Sequence, residues 1–173
     1  MTAKALILPT LTLMLSLQAY PCTRIGRVSS VEVVQQADVI IRVIAEKYDV
    51  PPKNPPVGKG FIPSSTIHFR VIEVIRGDPR TDLTLPGYLS DNDDFNDRPS
   101  PYDFVRPGGR HGNCVANTYR SGAQFLLLLQ KGQSGELSMN WYPLGPVNEQ
   151  LHSMDDPWLL WVRAEAQKPA SVK

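Results

Sequence analysis

The chain has 173 residues, of which 42% are hydrophobic, with 18 Lys+Arg against 17 Asp+Glu. That apolar content excludes an intrinsically disordered chain, and the length suffices for one ordinary core without dense disulfides or a metal staple. The near-zero net charge gives no electrostatic footprint for nucleic acid.

The N-terminus carries one charge, Lys4, followed by a run from Ala5 to Leu17 that is apolar apart from two threonines and one serine. This run is short for a membrane span, and Leu17-Gln18-Ala19 matches a leader cleavage site. Residues 1–19 therefore read as a signal peptide and 20–173 as a single exported domain, secreted or periplasmic. Pro21 stands where lipid acylation of Cys22 would need a small residue. The two cysteines, Cys22 and Cys114, are an even count in an exported chain, which predicts one bridge. The loop it would close has about 90 residues, worth ideally about 4–5 kcal/mol.

A short helix is expected over Ser29 to Gln36, where Ser29 and Glu32 form a capping-box pattern. Asp38 to Glu46 reads as a strand in which Val39, Ile41, Val43 and Ala45 make one face wholly apolar. A Pro/Gly/Lys loop runs over 49–63. In the next strand, Thr66 to Arg76, the apolar parity slips from Ile67, Phe69 and Val71 to Ile72 and Val74. Such a slip is the trace that a β-bulge leaves in sequence. Gly77-Asp78-Pro79 turns the chain into a strand over Asp82 to Leu85 that resumes near Tyr88.

Residues 91–113 form a long irregular loop. Asp91-Asn92-Asp93-Asp94-Phe95-Asn96-Asp97 is rich in oxygen ligands but lacks the turn glycine and the closing glutamate of a calcium loop, so it reads as a solvated acidic stretch. Arg106-Pro107-Gly108-Gly109-Arg110-His111 is more distinctive. Glycines let successive N–H groups form an anion-binding nest, and arginines add forked donors. Arg106, Gly108, Gly109, Arg110 and His111 are thus candidates for binding an anion or an acidic partner. The plainer reading is a tight turn beside Cys114.

Strands are expected at Val115 to Tyr119, Ala123 to Gln130 and Leu137 to Tyr142. The run Phe125-Leu126-Leu127-Leu128-Leu129 is apolar on both faces and marks a central strand. Trp141, Pro143, Leu144 and Pro146 read as packing for a C-terminal helix, with Asn148 capping a short turn and Glu149 beside it. That helix starts with Asp156 as N-cap and Pro157 at the first position, and shows an apolar stripe of Trp158, Trp161 and Val162. The histidines, His68, His111 and His152, show no zinc-ligand spacing. No metal or cofactor is expected.

The order of elements resembles the N-terminal domain of tissue inhibitors of metalloproteinases, the netrin-like variant of the OB-fold barrel. The matching stretches are Ala37-Asp38-Val39-Ile40-Ile41-Arg42, the strand from Ile67 to Gly77, and Cys114 followed by Tyr119 to Gln130. The resemblance implies a mainly β fold: a small closed barrel, with its core over residues 37–143, a short N-terminal helix, and a C-terminal helical tail over 146–168. In that family the first cysteine bridges to one in a mid-chain loop, and Cys22 and Cys114 hold corresponding places. There the N-terminal amine of that cysteine chelates the protease zinc; cleavage after Ala19 would instead leave Tyr20-Pro21 ahead of Cys22.

The sequence contains no G-x-S-x-G elbow, H-E-x-x-H or P-loop. The expected function is therefore noncatalytic binding to an extracellular or periplasmic protein or acidic polymer. A metalloprotease inhibitor acting through the N-terminal edge is the first alternative, and an uncharacterised hydrolase the second.

Overall fold

The computed structural model describes residues 28–52, 63–79, 82–110 and 114–169. The expected leader at 1–19, Cys22 and His111 lie outside them. The chain opens with helix α1 (Ser30–Gln36), capped as its sequence predicts: the Ser29 hydroxyl accepts from the Glu32 N–H, and the Glu32 carboxylate accepts from the Ser29 N–H at 2.9 Å. Strands β1 (Val39–Val50), β2 (Thr66–Arg76), β3 (Asp82–Pro86) and β4 (Tyr88–Ser90) follow. After a long arm containing a 3-10 turn at Pro107–Gly109 come β5 (Thr118–Arg120), β6 (Gln124–Lys131), β7 (Leu137–Met139), β8 (Asn148–Gln150) and helix α2 (Pro157–Ala166). Among the described residues no helix is long and apolar enough to cross a membrane.

Six strands form one sheet in the order β3-β2-β1-β6-β7, with β8 also paired to β6. All its ladders are antiparallel. Strand β1 is central on both counts that matter, because it has a bonded neighbour on each edge and a core on each face. Val39, Ile41, Val43 and Ala45 point into a cluster with Ile67, Phe69, Leu85, Tyr119, Phe125 and Leu127. On the other face Ile40, Leu126 and Leu128 pack under Val33 and Val34 of α1 and Trp158, Leu159 and Val162 of α2. That second face accounts for the doubly apolar run in β6. Arg42 is tolerated on the helix side because Glu73 of β2 accepts from its Nε at 2.9 Å and Gln124 accepts from its guanidinium at 3.0 Å.

One of the four register shifts along the β1–β2 ladder falls where the parity slip places it. Arg42 pairs with Glu73 and Val43 with Val71, so Ile72 is the extra residue on β2. Beyond it Glu73 and Ile75 join the helix side, where Arg163 of α2 grips Glu73 in a fork of 2.9 and 2.7 Å.

The expected closed barrel is corrected. The sheet stays open, and β4 and β5 form a separate two-stranded parallel ladder. The break between β3 and β4 sits at Pro86, which has no N–H to donate, and Gly87. A side chain at Gly87 would meet the Tyr119 ring at 2.7 Å and Ile67 at 2.8 Å. After this break the chain leaves β2. Both strands of the parallel pair are three residues long, and they pair with each other rather than with an edge of the large sheet. Core packing of Tyr119 and Leu89 ties this corner to β1, together with separate bonds such as Gly122 N–H to the Ala45 carbonyl at 2.7 Å and Leu89 N–H to the Tyr48 hydroxyl at 2.8 Å.

Candidate functional site

The arm between β4 and β5 is irregular but firmly anchored. Its inner side chains enter a polar cluster built around Arg106 and Glu149, both fully buried. Arg106 spreads its donors over three elements. Its Nε donates to the Asn148 carbonyl of β8 at 2.9 Å, one terminal nitrogen to the Asp94 carboxylate at 2.5 Å, and the other to the Ala116 carbonyl at 3.3 Å. The guanidinium lies 5.2 Å from the Tyr119 ring and 5.3 Å from Phe125, so the core on the Phe69 and Tyr119 face of the sheet closes over a cation.

Glu149 receives the arm at two points. Its Oε1 accepts the Arg106 N–H at 3.2 Å and its Oε2 accepts from Asn96 at 2.9 Å. Asn96 also donates to the Phe104 carbonyl at 2.8 Å. Burial pushes the Glu149 carboxyl up to about 7, against the opposing pull of Arg106 and the donated bond from Asn96. Next door, the Asn148 amide donates to the Ala116 carbonyl and to the Tyr119 hydroxyl, which itself donates to the Met139 sulfur at 3.1 Å. Burial drives the Tyr119 phenol well above its ordinary range. These groups hold one another and stabilise the arm.

Two further anchors flank the cluster. Gln150 accepts the Asp94 N–H at 2.8 Å and donates to Asp93, which also holds Arg120 at 2.6 Å. Phe95 stacks on His152 with ring centroids 4.1 Å apart. His152 in turn bonds the buried Asp156, whose carboxylate caps α2 through the Trp158 N–H at 2.9 Å.

The five candidate residues fare differently. Arg106 faces inward, with its guanidinium spread over internal acceptors. Gly108 gives its N–H to the Asp94 carboxylate at 2.9 Å, so that donor too is used within the chain. Gly109 is buried, because a Cβ there would strike the Ala116 nitrogen and the Val105 side chain, each at 2.8 Å. Arg110 donates to the Val105 carbonyl at 2.8 Å and forks onto Asp97. His111 lies outside the described residues. The stretch read as solvated acid is largely neutralised in place: Asp93, Asp94 and Asp97 each hold an arginine.

Glu149 reads from sequence only as packing beside the C-terminal helix, and β8 has no strand signal. Asn148-Glu149-Gln150 has no apolar alternation, yet all three residues are buried. A usable signal was the position of a lone acid between Val147 and Leu151, both core residues.

What the arm presents outward is a different surface. Phe104 is half-buried, with Arg98 and Arg110 over its ring at 5.6 Å each. Asp97, Arg98 and Asp103 are exposed. Comparison with models of known protein families and with curated proteins gave no match.

Proposed function

We propose that this chain is an exported, noncatalytic binding protein, and that its partner meets the arm between β4 and β5. The observation that carries this reading is the division of the arm's side chains. Asp94, Asn96 and Arg106 are spent on the buried anchor, while Arg98, Asp103 and Phe104 remain at the surface on a backbone that is already held. A preordered loop loses little conformational entropy when a partner docks, so more of the contact energy becomes affinity. A long loop on a rigid sheet is also where binding surfaces commonly sit.

The partner is an extracellular or periplasmic protein rather than an acidic polymer. An acidic polymer needs uncommitted cations, whereas Arg106 and Arg110 already hold Asp94 and Asp97. The netrin-like resemblance agrees with a binding role, with the scaffold left open beside β4 and β5. A Cys22–Cys114 bridge would tie the mature N-terminus to the far end of the same arm, at Cys114.

The test is capture of the partner from the native extracellular fraction by mature protein carrying Arg98→Glu or Phe104→Ser, beside the unaltered chain. Loss of capture with unchanged near-ultraviolet circular dichroism is expected. Capture that survives both substitutions would refute the arm as the binding surface. Sequencing the exported N-terminus is expected to give Tyr20; a start at Cys22 would instead favour inhibition of a metalloprotease through a free cysteine amine.

A further inference from the structure

A cavity of about 360 Å³ opens where the arm passes between the start of α1 and the outer side of α2. Its apolar wall is formed by Val28, Val31, Pro101 and Trp161, and Asp103 lies in the same lining. We propose that this cavity receives a lysine or arginine side chain from a partner polypeptide, with Asp103 holding the charge and Trp161 supplying an aromatic wall. The inference rests on the binding role proposed above and names the chemistry of the partner.

Asp103 is exposed and, among the described residues, makes no hydrogen bond or ion pair. Asp93, Asp94 and Asp97 in the same arm each hold an arginine of this chain; Asp103, like Asp91, does not, and of these aspartates it is the one in the cavity lining. Its position is fixed from both sides. The Ser30 hydroxyl, which is buried, donates to the Tyr102 carbonyl, and Asn96 donates to the Phe104 carbonyl. A carboxylate carried on an anchored backbone loses less freedom on taking up a cation than one on a mobile loop.

Trp161 is equally well placed. Its ring stacks on Trp158 at 5.2 Å, and Trp158, fully buried, stacks on Tyr102 at 4.9 Å. An indole beside a carboxylate suits an organic cation. The positive end of α1 opposes a cation weakly, but the Glu32 carboxylate folds back onto the Ser29 N–H and offsets it.

A saccharide fits less well. It needs several free donors and acceptors, whereas the Ser29 and Ser30 hydroxyls already serve the helix cap and the Tyr102 carbonyl. A small free amine would not explain the rim. Val31, in the cavity lining, is 38% exposed. It suits an apolar residue beside a basic side chain in a polypeptide.

The probe is the peptide acetyl-Leu-Arg-Leu-amide, titrated into the full mature chain and followed by amide and indole chemical shifts. The control peptide carries citrulline, which is neutral and nearly isosteric with arginine. Shifts centred on Val31, Asp103 and the Trp161 indole are expected, with the arginine peptide binding about tenfold more tightly than the citrulline peptide. Asp103→Asn should erase that difference, and its exposed position makes it a safe substitution for folding. No binding at millimolar peptide, equal binding of both peptides, or shifts elsewhere would overturn the proposal. The two readings fail separately. If Asp103→Asn leaves capture of the native partner intact, this inference falls and the arm remains the docking surface. If Asp103-dependent peptide binding is found while arm substitutions leave capture unchanged, the arm reading falls and the cavity stands.

Discussion

Replacing Glu149 by glutamine keeps its shape and removes its charge. The buried cluster holds two carboxylates, Asp94 and Glu149, and one guanidinium, Arg106, which bonds Asp94 directly. Glu149 is therefore the surplus acid, and desolvation outweighs the two N–H donors that favour its ionised form. Between the ordinary value of 4.5 and about 7, the folded protein binds a proton that the unfolded chain has lost. Stability from this group is thus fully present below the lower value and is lost as pH rises through the upper one. The interval corresponds to about 3 kcal/mol. The assay is urea unfolding of the parent and of Glu149→Gln at a series of pH values, with the difference between them as the readout. Other titrations cancel in that difference. Moving from acid to about pH 8, the variant should gain on the parent by up to about 3 kcal/mol. A difference that does not vary with pH would refute the reasoning. A difference of opposite slope would mean that the bonds from Arg106 and Asn96 outweigh burial.

Arg106→Met should cost about 3–5 kcal/mol in the same unfolding assay, because it strips the cation from two carboxylates at once. Arg106→Lys should recover little of this, since a single ammonium cannot reach acceptors on Asp94, Ala116 and Asn148 together. Full recovery by lysine would show that charge alone matters there. Asp156→Ala should lower stability by about 1 kcal/mol through loss of the α2 cap, read as a drop in thermal midpoint. Proteolysis should also become faster near Phe95, whose stacking partner His152 loses its anchor.

Much of this architecture is legible from local chemistry. Ser29 with Glu32 and Asp156 with Pro157 mark both helix starts, and those caps form as read. The slip from Val71 to Ile72 marks the bulge because a strand records its own face in the period of its side chains. Closure was not legible. Whether β4 and β5 join the large sheet depends on how Gly87 packs against Tyr119, a contact between residues far apart in sequence. The arm's internal partners were hidden for a similar reason. Arginine beside glycine advertises an anion site, but the anion can be internal. Arg106 finds Asp94 in its own arm, and its backbone finds Glu149 43 residues away. Strand β8 was hidden because its side chains are buried by polar partners, and hydrophobic patterning detects only burial among apolar ones.

Two cores share the single strand β1, so a residue added between Val39 and Ala45 would turn one set of side chains out of both cores at once. The arm is bound differently. Its attachment runs through separate contacts at Asp94, Phe95, Asn96, Tyr102, Val105 and Arg106, and the segment between Asn96 and Tyr102 belongs to no strand. The molecule therefore separates a part whose length is fixed from a part whose length is free. New residues placed at 98–101 would lengthen the displayed surface and leave the sheet's pairing untouched, which makes this arm the natural place to graft a new recognition sequence.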